Sequence, residues 1–279
     1  MKSRREAPDI STVPPDLAIP ELSRGKFAAG KRVKQKLPGW PSTRSYHVLY
    51  LPTDWKPGKS YPVLVEYMGN GGYRNAFGDS TEGWPEESKM GYGISAGQGF
   101  IWLCLPFLDA HGKKLVRNWW GTQPDFDARP TVAYARQAVP WVCKQYGGDP
   151  SRVLLIGFSR GSIACNFIGL HDDKIAKLWR GFVSYSHYDG VRAWNYPAST
   201  GPLPAARLKR LGIRPQFICH EVDRETPYLH RTRRYLKESG SKGDFTFVST
   251  GFRNHNDAWL LRPSPAREKL REWVRSVIA

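Results

Sequence analysis

The sequence predicts an α/β domain built on a mostly parallel sheet that is covered by helices on both faces. Short apolar runs typical of buried strands alternate along the chain with longer segments of helical periodicity. One such run, Val153–Ile156, leads through a glycine-flanked serine directly into an apolar helical pattern. At 279 residues, the chain is long enough for one such domain with a sizeable core.

The composition changes at about residue 44. Residues 1–44 are rich in proline, lysine and arginine and lack periodicity, which predicts a basic arm that lies over the domain or is partly disordered. Residues 45–279 form the predicted domain, and their connections are too short for a large cap domain. We expect strands over 45–51, 61–67, 100–105, 153–156, 182–185, 216–220 and 245–250, and helices over 130–146, 228–237, 266–278 and directly after Ser162. The stretches 73–99 and 106–129 show no clear element and are predicted to be long loops.

The most specific motif is Gly157-Phe158-Ser159-Arg160-Gly161, between the predicted strand and its following helix. A G-x-S-x-G sequence in a strand–turn–helix context indicates a nucleophile elbow. The turn holds the serine in a strained conformation with its hydroxyl projecting, and glycines two residues away avoid a side-chain clash. The helix N-terminus directs backbone N–H groups towards negative charge beside that hydroxyl. We therefore predict that Ser159 is a nucleophile and that the N–H of Arg160 is an oxyanion donor.

A glycine cluster, Met68-Gly69-Asn70-Gly71-Gly72, follows the strand predicted over 61–67. Glycines allow the backbone to approach a bound molecule closely. A loop in this position supplies the second oxyanion N–H in enzymes with a nucleophile elbow. We predict that Asn70 donates this N–H and that Gly71 contacts substrate.

A serine hydroxyl is a poor nucleophile until a base takes its proton, and an imidazole held by a carboxylate suits that task. His255 follows the last predicted strand and is the candidate base, while Asp223 follows the strand at 216–220 and is the candidate acid. Glu221 and Asp189 also lie at strand ends and are alternatives for the acid. His187 and His220 also lie at strand ends and are alternatives for the base, but neither follows the last strand as His255 does.

Together, the elbow, the loop at 69–72, Asp223 in Glu-Val-Asp-Arg-Glu-Thr-Pro and His255 in Asn-His-Asn-Asp-Ala-Trp resemble the α/β-hydrolase superfamily. Within it, the chain is similar to capless esterases of the polyhydroxyalkanoate depolymerase-like and feruloyl or acetylxylan esterase-like kinds. The resemblance covers roughly residues 45–279. It implies transfer of an acyl group to Ser159 and hydrolysis by water, with no cofactor. One departure is Met68-Gly69, where the oxyanion loop of the superfamily often begins His-Gly.

The chain carries 42 Lys and Arg against 25 Asp and Glu, a net charge of +17, which favours anionic partners. The charges are dispersed rather than gathered in a stripe with interleaved aromatics, so we expect no nucleic-acid partner. No apolar stretch approaches 18 residues and no metal-ligand spacing occurs, so we expect neither a membrane span nor a metal. The cysteines, expected as buried free thiols, leave the cellular compartment open. The N-terminus lacks the apolar stretch of a signal peptide, which is compatible with a cytoplasmic protein or with a secreted or periplasmic one whose signal was removed.

Aromatic residues in the predicted loops suggest a platform for a sugar or phenolic ring, with Trp119 and Trp120 as the first candidates. The expected activity is therefore hydrolysis of carboxylic esters, on a small molecule or on a polysaccharide or polyester. A serine peptidase-type hydrolase and a non-catalytic module that binds polyanions are the alternatives.

Overall fold

The computed structural model describes residues 7–222 and 227–279, which are organised around an eight-stranded sheet. Along the sheet the strands follow the order β1-β2-β6-β3-β7-β8-β9-β10. β2 is antiparallel to both of its neighbours, β1 and β6, and from β6 to β10 every pair is parallel. The strands are β1 (Arg32–Gln35), β2 (His47–Tyr50), β3 (Tyr61–Tyr67), β4 (Tyr73–Arg74), β5 (Ser80–Thr81), β6 (Ile101–Leu105), β7 (Gly148–Phe158), β8 (Gly181–Tyr185), β9 (Pro215–His220) and β10 (Asp244–Ser249), of which β4 and β5 form a separate hairpin.

Helices cover both faces of this sheet. The α-helices are α1 (Met90–Ser95), α2 (Arg129–Tyr146), α3 (Arg160–Phe167), α4 (Asp173–Ala176), α5 (Pro202–Leu208), α6 (Tyr228–Glu238) and α7 (Pro265–Ile278). The 3-10 turns are Ile10–Thr12, Pro85–Glu87, Lys209–Leu211 and Asp257–Leu261. Buried apolar side chains of α2 and α3 share one core cluster, and those of α1 and α7 share the cluster on the opposite face. Strands buried on both faces explain the continuous apolar runs in the sequence.

Strand and helix bounds agree with the sequence predictions where hydrophobic periodicity is strong. β3 has the predicted ends, and α2 begins one residue before the predicted 130–146. The first strand, β1, lies inside the predicted arm and pairs with β2, so residues 32–35 belong to the sheet. β1 is a short edge strand with basic residues, a type that gives little hydrophobic signal. α1 lies within the stretch 73–99 predicted to be a loop, and α5 lies where no helix was predicted; both are short helices rich in Gly or Pro.

The four cysteines are free and buried, as expected. Burial raises the pKa of Cys143 to about 11 and that of Cys165 to about 12, which keeps both thiols protonated and unreactive. In the described part of the chain, no helix combines the length and the apolar character needed to cross a membrane.

His47 is a buried histidine of β2 that links the sheet to α2. Its Nδ1 lies 2.8 Å from the Tyr134 hydroxyl and its Nε2 lies 3.0 Å from Gln35 Oε1. Burial lowers the pKa of His47 from 6.5 to about 3. The folded protein therefore excludes a proton that the unfolded chain binds below pH 6.5, so stability is lost as the pH falls from 6.5 towards 3.

We predict that replacing His47 with glutamine flattens this acid destabilisation. The wild-type free energy of unfolding should fall with decreasing pH by up to about 1.4 kcal/mol per unit more steeply than that of His47→Gln, since that is the slope of one proton. Urea unfolding between pH 4 and 7 measures the slope. His230→Gln, at an exposed position of α6, is the control and should keep the wild-type slope. Equal slopes for wild type and His47→Gln would contradict the prediction.

Candidate active site

The turn between β7 and α3 has the geometry predicted for a nucleophile elbow. Ser159 adopts φ 55° and ψ −114°, a conformation rare for a residue with a side chain. A Cβ atom at Gly161 would overlap the Tyr67 carbonyl, and one at Gly157 would overlap the Gly161 carbonyl. Glycine at both positions therefore lets β7, α3 and the end of β3 approach closely enough to hold Ser159 in this conformation.

Ser159, His255 and Glu221 form a hydrogen-bonded chain at the carboxyl edge of the sheet. His255 Nε2 lies 3.1 Å from Ser159 Oγ, and His255 Nδ1 lies 2.8 Å from Glu221 Oε1. With Nδ1 protonated and bonded to the carboxylate, Nε2 is free to accept the serine proton. Asp223, the first sequence candidate for the acid, lies outside the described residues. The carboxylate that contacts His255 in the structure belongs to the sequence alternative Glu221.

Glu221 is held as a carboxylate by this contact. Burial raises its pKa, but the charge of His255 and the hydrogen bond from it outweigh burial, and the pKa falls to about 2. The Ser186 hydroxyl lies 3.2 Å from the same Glu221 oxygen and 2.9 Å from His255 Nδ1. Ser186, at the end of β8 with φ 87°, was not identified from the sequence because no motif marks it.

The other sequence candidates have different surroundings. Asp189 is buried in a separate cluster, where it accepts hydrogen bonds from Arg207 at 2.8 Å and from the Tyr196 hydroxyl at 3.0 Å. Burial, together with the neighbouring His255, lowers the pKa of His187 well below 6.5, and its ring centre lies 5.1 Å from that of His255. His220 places Nδ1 2.9 Å from the Glu221 carbonyl oxygen. His187 and His220 therefore lie beside His255 and Glu221, Asp189 lies in a different cluster, and no hydrogen bond joins any of the three to Ser159 in the described chain.

The backbone of His255 is fixed by a buried carboxylate that the sequence reading missed. Asp79, 2% exposed, accepts from the His255 N–H at 3.0 Å. The same carboxylate accepts from the side-chain amides of Asn254 at 3.1 Å and Asn256 at 3.2 Å. The asparagines on each side of His255 were the available signal, since amide groups next to a functional residue have to find acceptors when they are buried.

The loop at 69–72 lies beside the nucleophile. A Cβ atom at Gly69 would be only 3.3 Å from the Ser159 Cβ, so a side chain here would crowd the serine and glycine leaves that space open. Asn70 is held by its side-chain oxygen, which accepts from the Trp119 N–H at 2.8 Å, and by its carbonyl, which accepts from the Thr81 hydroxyl. Within residues 7–222 and 227–279, the N–H groups of Asn70 and Arg160 have no acceptor. Neither donor is therefore used by the described part of the fold.

The three residues predicted to contact substrate, Gly71, Trp119 and Trp120, have different surroundings in the structure. The Gly71 N–H donates to the Arg117 carbonyl at 2.8 Å, and a Cβ there would overlap the Glu82 carbonyl, so this glycine serves close packing of the loop. Trp120 is fully buried and stacks on Phe167 with ring centres 4.4 Å apart, which corrects its expected place on a surface platform. The interior space between Phe107, Phe167 and Tyr196 is filled by this ring. Trp119 is 8% exposed and contacts Trp194.

Arg160 is a buried arginine whose side chain folds back under the loop. Its guanidinium donates to the carbonyls of Trp119 at 2.6 Å, Gly69 at 2.8 Å, Gly83 at 3.2 Å and, at 3.4 Å, Met68 and Val116. Its carbon centre lies 3.9 Å from the Phe107 ring centre. Burial lowers its pKa well below 12.5, yet five carbonyl acceptors require a group that donates five N–H bonds, as the protonated guanidinium does. The elbow motif predicts a role as hydrogen-bond donor for the Arg160 backbone N–H, and nothing in the sequence indicates a role for this side chain.

Solved structures establish the fold. The chain is similar to an S-formylglutathione hydrolase from Agrobacterium tumefaciens, with a TM-score of 0.59 and 13% identity over 91% of this chain and 98% of the other. It is also similar to Thermogutta terrifontis esterase 2, with a TM-score of 0.53 and 17% identity over 87% of this chain and 94% of the other. For Porphyromonas gingivalis dipeptidyl peptidase 4 the TM-score is 0.55, with 13% identity over 90% of this chain. The chain spans 35% of the length of that peptidase and 58% of that of a thermostable esterase. No protein family and no curated protein matches it by sequence. These similarities confirm the predicted fold class.

Proposed function

We propose that this chain, which has the α/β-hydrolase fold, is a serine hydrolase that cleaves carboxylic esters through an acyl-enzyme on Ser159. The observation that carries the proposal is the chain of hydrogen bonds from Ser159 through His255 to Glu221. The three hydrogen-bonded residues do not themselves bind the negative charge that develops on the substrate oxygen. In this proposal the N–H groups of Asn70 and Arg160 bind it. Glu221, rather than Asp223, is the proposed acid.

In the proposed reaction, His255 Nε2 takes the Ser159 proton as Oγ attacks the ester carbonyl. The carbonyl electrons move onto its oxygen, which receives hydrogen bonds from the N–H groups of Asn70 and Arg160. When the C–O bond to the alcohol breaks, His255 returns the proton to the leaving oxygen. A water molecule, deprotonated by His255, then attacks the acyl-enzyme in the same way and releases the acid. Glu221 remains ionised and stabilises the imidazolium in both halves.

Ester substrates are favoured over peptides by the extent of the structural similarity. The S-formylglutathione hydrolase, which by its name acts on a thioester, and the esterase are matched over almost their whole length, whereas the peptidase is matched over 35% of its length. A peptidase-type activity is the second candidate, and the same three residues would serve it.

The test of the function is hydrolysis of a panel of short-chain, acetyl-sugar and feruloyl esters, with a chromogenic dipeptide amide beside them. The wild-type protein should hydrolyse at least one ester far faster than the amide. A fluorophosphonate should abolish that turnover and appear by mass spectrometry on the peptide that contains Ser159. If neither esters nor the amide are cleaved and the phosphonate does not label Ser159, the proposal fails.

The basic surface offers a narrower proposal, that anionic substrates are concentrated at the site. Two arginines in the segment before β9 are engaged in ion pairs, Arg207 with Asp189 and Arg210 with Asp173. Arg192 is a better candidate because it stacks on Trp194 at 3.7 Å, and the Trp194 ring centre lies 4.8 Å from that of His187, beside His255. Arg192 is exposed and rests on a half-buried tryptophan, so its charge stays available to a substrate carboxylate or sulfate.

We predict that salt weakens turnover of an anionic ester more than that of its neutral analogue. Raising the ionic strength from about 0.1 M to 1 M shortens the Debye length from about 10 Å to 3 Å, so kcat/KM for the anionic ester should fall several-fold while the neutral ester is little changed. Arg192→Gln should remove much of that difference, and Arg44→Gln, at an exposed position beyond the site, is the matched control. Identical salt responses of the two esters would contradict a role for the basic surface.

A further inference from the structure

The side chain of Arg160 has an arrangement that packing alone does not explain. It is 1% exposed, and all of its described hydrogen-bond partners are backbone carbonyls, with no carboxylate among them. A buried charge without a counter-charge is costly, and proteins keep such groups mainly where the charge has a use. Among the other buried arginines, Arg207 pairs with Asp189 and Arg267 pairs with Asp16, while Arg32 donates to the Glu86 carbonyl and lies over the Trp102 ring.

One of these carbonyls connects Arg160 to the oxyanion site. The Gly69 carbonyl, 2.8 Å from Arg160 Nη2, belongs to the same peptide unit as the N–H of Asn70. In a trans peptide the C=O and the N–H point in opposite directions, so a donor bound to the oxygen polarises the N–H on the other side. That N–H has no acceptor in the described chain, and Gly69 lies so near the nucleophile that an added Cβ atom would be 3.3 Å from the Ser159 Cβ.

The remaining carbonyls explain how the loop keeps its position. Arg160 joins Met68 and Gly69 of the loop to Gly83 and to the segment that includes Val116 and Trp119. The Trp119 N–H in turn donates to the Asn70 side-chain oxygen. The Gly69–Asn70 peptide is therefore held at the Gly69 carbonyl by Arg160 and through the Asn70 side chain by Trp119. A loop with Gly69, Gly71 and Gly72 would otherwise have a high conformational entropy. Preorganised donors contribute most to transition-state stabilisation because they do not have to reorient during the reaction.

We propose that the buried guanidinium of Arg160 positions and polarises the Gly69–Asn70 peptide, so that the Asn70 N–H binds the oxyanion of the transition state more strongly. Arg160 is thus a positioning residue that acts through the backbone, in addition to the role of its own N–H. The inference rests on the proposed ester hydrolysis. Because the interaction strengthens as negative charge develops on the substrate oxygen, it should act on kcat and not on ground-state binding.

The experiment compares Arg160→Gln and Arg160→Lys with wild type on the ester that wild type cleaves best. Arg160→Gln should lower kcat by about 100-fold, the loss typical of one oxyanion donor, with KM changed less than about 3-fold. Affinity for a trifluoromethyl ketone, which forms a tetrahedral oxyanion with Ser159, should fall in parallel with kcat/KM. Arg160→Lys keeps a positive charge but cannot reach all of the carbonyls, so its kcat and ketone affinity should lie between those of wild type and those of Arg160→Gln. Arg267→Gln is the control for loss of a buried arginine and should lower the unfolding temperature without changing kcat.

A second measurement on the wild-type protein keeps the test independent of how the variants fold. With ¹⁵N-labelled asparagine, the Asn70 amide proton should move downfield when the trifluoromethyl ketone binds, as expected for a strengthened hydrogen bond. An unchanged Asn70 resonance, or a folded Arg160→Gln protein with wild-type kcat and ketone affinity, would overturn the inference. Failure of the wild-type protein to hydrolyse any ester would instead overturn the proposed function, so the two failures are distinguishable.

Discussion

Replacement of Ser159 with alanine is expected to lower ester kcat/KM by about 10⁴-fold to 10⁶-fold, because the residue that forms the covalent intermediate is lost. Any remaining turnover would come from the oxyanion donors and from substrate binding. The measurement is steady-state hydrolysis of the best ester, with enzyme concentration raised until the rate exceeds the uncatalysed rate. Covalent labelling by a fluorophosphonate should disappear in the same variant.

The control for this prediction is Ser151→Ala. Ser151 is exposed near the opposite end of β7, the strand that carries the elbow, and should keep full activity. The unfolding temperature of Ser159→Ala should stay near that of wild type, since the glycines that shape the turn are unchanged. Activity within 10-fold of wild type in a pure, folded Ser159→Ala protein would rule out Ser159 as the nucleophile.

The sequence was sufficient to predict the features that depend on strong local patterns. β3, β9 and α2 combine apolar periodicity with clear turn residues, and their positions were predicted to within about a residue at most ends. The elbow was predicted because its glycines are required by contacts within a few residues of Ser159. The strand-end rule then placed His255 beside Ser159, since parallel strands meet at one edge of the sheet.

Features that depend on distant contacts were not predictable in this way. Asp79 reaches His255 from the β4–β5 hairpin, and no local pattern in residues 73–81 indicates that the chain turns towards the site. Trp120 is a residue type common in substrate platforms, but here it is buried against Phe167 and Tyr196, which come from other segments. Glu221 and Asp223 follow β9 by one and three residues, and periodicity does not specify which of two carboxylates so close in sequence contacts His255.

Replacement of Glu221 with glutamine is expected to lower kcat by about 10³-fold to 10⁴-fold. The carboxylate accepts the Nδ1–H of His255 at 2.8 Å, and a glutamine can instead present its own N–H to Nδ1, which favours the tautomer with the proton on Nε2. In that tautomer Nε2 cannot accept the Ser159 proton. Because the pKa of Glu221 is lowered to about 2, the wild-type carboxylate is ionised above that pH, and its contribution to stability is lost only as the pH falls from 4.5 through 2. A loss of wild-type activity between pH 4 and 7 therefore would not come from Glu221.

The matched comparison is Asp223→Asn, which removes the carboxylate first predicted from the sequence. If Glu221 is the acid, Asp223→Asn should keep kcat within a few-fold of wild type, while Glu221→Gln keeps the wild-type KM and loses kcat. Glu82→Gln, at a half-exposed ion pair with Arg117, controls for the loss of any carboxylate near the site. Steady-state kinetics of the three variants at pH 8 decide the assignment. A larger loss in Asp223→Asn than in Glu221→Gln would show that Asp223 orients His255 during the reaction and that the contact with Glu221 belongs to the resting enzyme.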